Sequence, residues 1–599
     1  MTESLRFETL VELLERAVAQ FGERPAYGFL APAPASSTSQ SGTAWSWITF
    51  NELARRVAAC RAGLADLGVG RGDRVAIIAE NRLEWVIAAH ATYQRRAVFV
   101  PVAELQSEPE WRYVLADSAA KVCFVGNASL AGRVNGIRED LLDLQHIVTL
   151  DGTANEPSSF DALLARGEGR DIPARAPSRG DIATIIYTSG TTGEPKGVRL
   201  SHGNLAANAL ALAEARDFGT DLRSVAFLPW AHVFGGQVEL NVMMALGASV
   251  AICPSADRLF DEMQRLKPTV LYAVPRMWSQ IYHDMQRNLA AEPEMSRHMF
   301  DDALQLMKKQ RAGETLKLTE RIYLNLCDRV VISKLKARLG GKLRWAFSGA
   351  APLPVPVAEM LHDIGITIYE GYGLTESSGS STSNPTGAAR FGTVGKAMGE
   401  TRIVIDSSVA EALPGEGEIL LYGPGIMQGY HNQPELTAQV LMPDGGLRTG
   451  DLGRLDDDGY LWVTGRIKDL YKLSNGRYVA PAPLEQKLKM SPFIEHCMVY
   501  GAGQPYNVAL IVADVRSLRA YLGVEEGNAE ELIADPRARR LYEEEILKSS
   551  RDFRTFELVR SFWLATEPFT RENGMLTSAM KLRRRRVLHV YEAKLRSLY

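Results

Sequence analysis

YTSGTTGEPKG, Tyr187 to Gly197, packs hydroxyl side chains, three glycines and a single lysine between two segments that read as regular structure. Glycine is disfavoured inside helices and strands, so such a run is not there to hold a fold together. Upstream, ATIIY is a strand candidate; downstream, SHGNLAANALALAEA reads as a helix with Ser201 as its cap. Glycines let successive backbone N–H groups point into one concavity, which suits phosphate oxygens. Thr188, Ser189, Thr191 and Thr192 add hydroxyl donors, and Lys196 adds a mobile positive charge. The spacing is not the G-x-x-x-x-G-K-[ST] of Walker-type NTPases, because no glycine precedes Lys196 and Gly197 follows it. Taken alone, the run reads equally well as a flexible surface loop.

Around this run the alternation of apolar strands and helical patterns continues. VAIIAEN (Val75 to Asn81), KVCFVGN (Lys121 to Asn127), SVAFLPW (Ser224 to Trp230), ASVAIC (Ala248 to Cys253) and TVLYAVP (Thr269 to Pro275) are short buried-strand patterns, and Glu84 to Ala97 reads as a helix. Such alternation predicts an α/β fold with largely parallel sheets. LAPAPASSTSQSGTAWS (Leu30 to Ser46) reads as a Pro/Ser/Gly loop. From about Met277 to Arg338 the pattern is helical and charged; LRWAFSG and ITIYEGYG then resume the strands. After Gly395 come short β segments (TRIVID, EILLYG, YLWVTG), and at GRIKD (Gly465 to Asp469) the texture shifts again, leaving enough chain for a small separate domain.

At 599 residues two or more domains are expected. A formal net charge of −3 gives no reason to expect a nucleic-acid partner. Five scattered cysteines without a CxxC pair argue for a reducing compartment and against disulfides or structural zinc. The N-terminus is an amphipathic helix pattern with acids throughout, unlike a signal peptide, and no uncharged apolar run reaches the roughly 18 residues that span a bilayer. A cytoplasmic protein is the expectation; peripheral membrane contact and oligomerisation stay open.

The whole string YTSGTTGEPKGV resembles the phosphate loop of the adenylate-forming superfamily of acyl-CoA synthetases, luciferase-like enzymes and nonribosomal adenylation domains, and further motifs follow in that family's order. By this resemblance Thr188 to Gly193 (Thr188, Ser189, Gly190, Thr191, Thr192, Gly193) and Lys196 hold the ATP phosphates, with Thr191 the hydroxyl nearest Mg²⁺. EGYGLTES (Glu370 to Ser377) is similar to the adenine and metal motif. Glu370 and Gly371 would lie beside adenine, Tyr372 can stack on a purine face, Thr375 can bond a phosphate oxygen, and Glu376 is a hard ligand suited to Mg²⁺. FSGAAPL (Phe347 to Leu353) is similar to the family's SGGAPL loop; Gly349 is kept, and Ala350 stands where a second glycine is usual. Asp451 matches the carboxylate that binds the ribose hydroxyls, Arg466 would meet ribose or the α-phosphate, and Lys472 would approach phosphate. His232, in LPWAHVFGG, occupies the family's position near the substrate carboxylate. Lys468 matches the hinge, Tyr478 is a candidate for stacking on the CoA adenine or for plain packing, and Lys581 matches the lysine that neutralises charge developing on the carboxylate and α-phosphate. Asn475 replaces a glycine common in relatives and tolerates positive φ. Arg583 to Arg586 read as a solvated helix face.

The resemblance covers almost the whole chain. PRMWSQIYHDM, the helical stretch before SGAAPL, and the GRYVAPAPLE and TSAMKLRR endings lean towards long-chain fatty-acid–CoA ligases; VAELQS (Val102 to Ser107) departs from a turn common in relatives. The resemblance implies a large N-terminal domain (1–465) of α/β subdomains plus a β-rich subdomain, a hinge (466–468) and a small mobile α+β C-terminal domain (469–599). It implies ATP-dependent formation of a fatty acyl-AMP and transfer to CoA, with Mg²⁺, fatty acid, ATP and CoA as the bound species. An acyl-AMP ligase that loads a carrier protein, and a non-catalytic lipid- or nucleotide-binding protein on the same fold, are the rival readings. The second would be expected to lose Lys581, Glu376 or Asp451, and all three are present.

Overall fold

The computed structural model describes residues 6–32, 43–188, 194–215, 218, 221–409, 415–524, 527–551, 553–577 and 581–599. The chain mixes helices and several sheets and divides into two compact units. The first comprises Met1–Trp278, Asp284–Ile403 and Leu421–Arg448; the second comprises Ser279–His283, Val404–Leu420 and Thr449–Tyr599.

The first unit is built on three sheets. In the largest, the strands run His146–Thr149, Ala120–Val125, Arg74–Ile78, Val98–Val102, Ile182–Thr188 and Lys196–Ser201 in spatial order. All pairs are parallel except the last. The near-continuous apolar runs are explained by burial on both faces: Ala76 and Ile78 join one core cluster with Val100, Cys123, Val125 and Ile185, while Val75 and Ile77 are buried on the other side. A second sheet orders Val270–Ala273, Trp345–Ser348, Thr367–Tyr372, Thr382–Ser383 and Lys396–Ala397, its first three strands parallel.

The third sheet corrects one expectation. The Pro/Ser/Gly patch does not begin a loop at Leu30 or hold it to Ser46: Pro25–Pro32 and Thr43–Thr49 pair as an antiparallel hairpin, and the first of these pairs in parallel with Ser249–Ile252. Trp45 and Trp47, two residues apart, share a face of that hairpin with ring centroids 6.3 Å apart. At the departure VAELQS, strand Val98–Val102 ends and Ser107 begins the helix Glu108–Asp117 with a Glu110 capping box.

The second unit holds most of a four-stranded sheet ordered Arg402–Asp406, Gly417–Tyr422, Leu447–Leu455, Leu461–Arg466. Its three-stranded sheet, Ile494–Tyr500, Asn507–Ala513 and Val559–Ala565, shows a period of two. Cys497, Val499, Ala509 and Ile511 face a core with Leu484, Leu518 and Tyr542. Met498, Val508, Leu510 and Val512 face the other core, against Val587, Tyr591 and Leu595 of the helix Arg584–Arg596. The positive φ that Asn475 would tolerate is taken by Gly476 (φ 84°), and Asn475 accepts from the Arg477 amide at 3.0 Å.

Candidate active site

The phosphate-loop run sits between the two strands of an antiparallel hairpin, not between a strand and a helix. Ile182–Thr188 pairs with Lys196–Ser201, and Thr188 lies directly opposite Lys196. Ser189, Gly190, Thr191, Thr192 and Gly193 lie outside the described residues. Ser201 caps the helix His202–Glu214, accepting from the Asn204 amide at 3.1 Å. Gly197 has a steric reason: a Cβ there would meet Ile185 at 2.9 Å and the Tyr187 ring at 3.0 Å. Tyr187 is anchored through its hydroxyl to Asp117 Oδ2 at 2.6 Å; burial, then that carboxylate, push its phenol well above the ordinary range.

A residue that sequence reading missed ties this hairpin to the metal motif. The segment Met427 to His431 runs beside strand Lys196–Ser201, with Gln428 N to Arg199 O (2.9 Å), Arg199 N to Gly429 O (3.1 Å) and His431 N to Gly197 O (2.7 Å). Met427 N also donates to Glu376 O at 2.9 Å. Main-chain pairing therefore fixes Tyr430 between two expected site residues. Its hydroxyl donates to Glu376 Oε1 at 2.8 Å, and Lys196 Nζ lies 5.3 Å from its ring centroid, within cation–π range. In sequence Tyr430 sits in GYHNQPE, which reads only as a turn.

Glu370, Gly371 and Tyr372 close the strand Thr367–Tyr372, and Thr375 and Glu376 form the 3-10 turn that follows. Gly371 passes so near the neighbouring strand that a Cβ would lie 2.8 Å from Thr382 O. The Tyr372 amide donates to Thr382 Oγ1 at 3.2 Å, and the residue is half-buried. The Glu370 carboxylate is buried and accepts from the Leu353 amide at 2.7 Å, tying this strand to the SGAAPL loop; burial pushes it up to about 8. Ser348 pairs with Glu370, so Gly349 and Ala350 leave their strand beside the same motif. Ala350 has φ 71°, the left-handed region a glycine would occupy freely. His232 precedes a π-helical segment, Phe234–Glu239, and lines a small cavity with Val102, Gln106 and Tyr187, the first residue of the phosphate run.

In the second unit, Asp451 and Arg466 face each other across paired strands, with Arg466 Nε 3.4 Å from Asp451 Oδ1. Thr449 Oγ1 donates to Ile419 O and accepts from Asp451 N, which pins the aspartate's strand. Lys468 is exposed on the turn Ile467–Asp469. Lys472 and Tyr478 pair on one two-stranded ribbon, Nζ 5.3 Å from the ring centroid. Lys581 is exposed and lies between Leu576 and Leu582, which form an antiparallel bridge; its amide donates to Thr577 Oγ1 at 3.0 Å. Arg584, three residues on, is held by the Glu485 carboxylate.

Among the described residues no group of three His, Cys, Asp or Glu side chains could hold a metal ion. A single Glu376 beside a phosphate-loop lysine still fits Mg²⁺ carried in on phosphates, since Mg²⁺ keeps several waters and takes one or two carboxylates plus phosphate oxygens.

The AMP-binding enzyme family matches residues 14–431, and its AMP-binding enzyme C-terminal domain matches residues 468–599. The chain belongs to this family. Long-chain-fatty-acid--CoA ligase FadD15 of Mycobacterium bovis is 32% identical over 581 residues, covering 93% of this chain and 92% of that protein. The peroxisomal long chain acyl-CoA synthetase 7 of Arabidopsis thaliana is 31% identical over 571 residues, covering 90% and 80%. Two solved structures share the fold at 22% identity: the anthranilate CoA ligase AuaEII with anthranoyl-AMP (TM-score 0.74, covering 99% of this chain and 100% of that one) and the adenylation domain of a Mycobacterium chelonae carboxylate reductase (0.79, covering 100% and 92%). The chain is thus an adenylate-forming ligase by family, and no helix among the described residues is long and apolar enough to cross a membrane.

Proposed function

We propose that the protein activates a long-chain fatty acid with ATP as acyl-AMP and transfers the acyl group to CoA, releasing pyrophosphate and AMP. The observation that carries the site reading is the Lys196–Tyr430–Glu376 arrangement, which puts a cation and a carboxylate on one anchored ring beside the phosphate-loop hairpin. The names of relatives aligned over most of both chains support the substrate class.

In this mechanism the fatty carboxylate attacks the α-phosphate, and the P–O bond to pyrophosphate breaks. Thr188, the run 189–193, Lys196 and Thr375 hold the phosphates; Tyr372 stacks on adenine; Asp451 and Arg466 hold the ribose. Mg²⁺, held by Glu376 and Thr191, would neutralise phosphate charge. His232 orients the substrate carboxylate and Lys581 stabilises charge on it and on the α-phosphate. Residues 1–465 form the adenylating domain and 469–599 the mobile one, turning at Lys468 so that CoA, stacked on Tyr478, delivers its thiol to the mixed anhydride. Positioning and electrostatics do this without a covalent enzyme intermediate.

The test is a panel of carboxylates, short to very long and including aryl acids, read as CoA-dependent AMP release. Long-chain acids should be turned over fastest. Pyrophosphate release without CoA consumption would favour the carrier-loading ligase, and no pyrophosphate release with any acid would remove the enzyme reading.

A further inference from the structure

The helix Leu318–Cys327 shows solvent a row of aliphatic side chains. Leu318, Ile322 and Leu326 recur every fourth residue, so they stack along one face, and they are 72%, 62% and 50% exposed; Val330 extends the row. The other side of the helix is committed to the protein. Cys327 is fully buried, the Tyr323 hydroxyl donates to Asp302 Oδ2 at 2.9 Å, and Glu320 meets Lys309 at 3.3 Å, both partners lying on the helix Glu294–Arg311. Flanking the row, Lys317, Arg321, Asn325 and Arg329 are exposed. On this segment Glu320 is matched by Lys309 and Asp328 by Lys336, each at 3.3 Å, whereas among the described residues Arg321 and Arg329 have no ion-pair partner.

We propose that this face docks on an anionic lipid surface, with Leu318, Ile322 and Leu326 among the headgroups and Lys317, Arg321 and Arg329 against lipid phosphates. An amphipathic helix with an aliphatic row and basic flanks is the form that lies in a membrane interface. A second copy of the chain suits the face less well. A standard protein interface needs about 800 Å² per partner, but this row is one helix wide. A two-fold contact would also bring the same cations together. That the surface is the source of the substrate rests on the long-chain reading above; the docking does not.

The full-length protein is floated, without ATP, on phosphatidylcholine vesicles and on vesicles doped with phosphatidylglycerol. Binding should favour the doped vesicles. Leu318→Ser/Ile322→Ser/Leu326→Ser should weaken it by about tenfold or more, and Arg321→Gln/Arg329→Gln should weaken binding to doped vesicles by roughly 25-fold, at about fivefold per basic residue. Tryptophan emission from Ile322→Trp should gain a blue-shifted component on the doped vesicles. Three results would overturn the proposal: no vesicle binding by the parent protein, unchanged binding of the triple serine variant, or no shift in the tryptophan variant. A concentration-dependent dimer abolished by the triple serine change would overturn it too. AMP release from detergent-dispersed fatty acid, measured on the same samples, separates the two readings. Lost docking with intact release sinks the docking alone, and absent release with intact docking sinks the catalytic reading alone.

Discussion

Tyr430→Phe isolates one hydrogen bond in the candidate site. The change deletes the hydroxyl that meets Glu376 Oε1 at 2.8 Å but keeps the ring 5.3 Å from Lys196, in a buried position that phenylalanine fills with little change of shape. A hydrogen bond to a charged group contributes about 1.5–3 kcal/mol. Glu376 is half-buried, so water can replace part of the bond and the lower end applies. About 1.4 kcal/mol is tenfold in rate, so the adenylation step should slow about tenfold. Tyr430→Leu also removes the cation–π contact, adding about 0.5–1 kcal/mol and a further two- to fivefold. The assay is fatty-acid-dependent pyrophosphate exchange, run beside thioester formation from supplied acyl-AMP. The loss should be confined to exchange. Parent-level exchange in Tyr430→Phe, or equal loss in both half-reactions, would refute the bridging role; a leucine variant no worse than phenylalanine would refute the Lys196 contact.

Three further outcomes are expected. Lys581→Ala should slow acyl-adenylate formation by about 10²–10³-fold, as loss of a transition-state donor does, and spare thioester formation from acyl-AMP; equal loss in both counts against its assignment. Ala350 pays about 1–2 kcal/mol for its left-handed backbone. Ala350→Gly should therefore be stabilising by about 0.5 kcal/mol after the extra freedom of the unfolded chain, and Ala350→Val destabilising by about 1 kcal/mol or more in urea titrations; a neutral valine would void the strain argument. Glu370, raised by burial from 4.5 to about 8, keeps a proton that the unfolded chain releases. It should make stability fall as pH rises between roughly 5 and 8, by up to about 1.4 kcal/mol per unit. Glu370→Gln should flatten that slope, and an unchanged slope would show that the carboxyl ionises freely in the folded protein.

The parallel strands were readable because VAIIAEN or KVCFVGN is apolar at every position, a pattern that burial on both faces demands. The hairpin around Thr43–Thr49 was not, because prolines and serines beside it hide the alternation of Trp45 and Trp47. In the site, motif strings pointed to Lys196, Glu376, Asp451 and Arg466, and the structure puts the first two on one tyrosine and the last two opposite each other. Tyr430 stayed hidden because its placement comes from main-chain bonds to residues far away in sequence, which no local pattern encodes. Glu370 carries a second contact that its string does not show: its carboxyl accepts from the Leu353 amide, seventeen residues away in sequence.

The pairing of Thr188 with Lys196 has an evolutionary corollary. Because strand side chains alternate, losing one residue from within Lys196–Ser201 would turn the lysine to the opposite face and unseat its neighbours. Changes of identity among the residues joining the two strands leave the main-chain bonds of that ladder in place, whereas changes in their number do not, because loop length helps to fix a hairpin's register. Selection can therefore vary the identities of the joining residues for nucleotide handling while the ladder is held constant for folding, so two kinds of constraint occupy adjacent positions without trading off against each other.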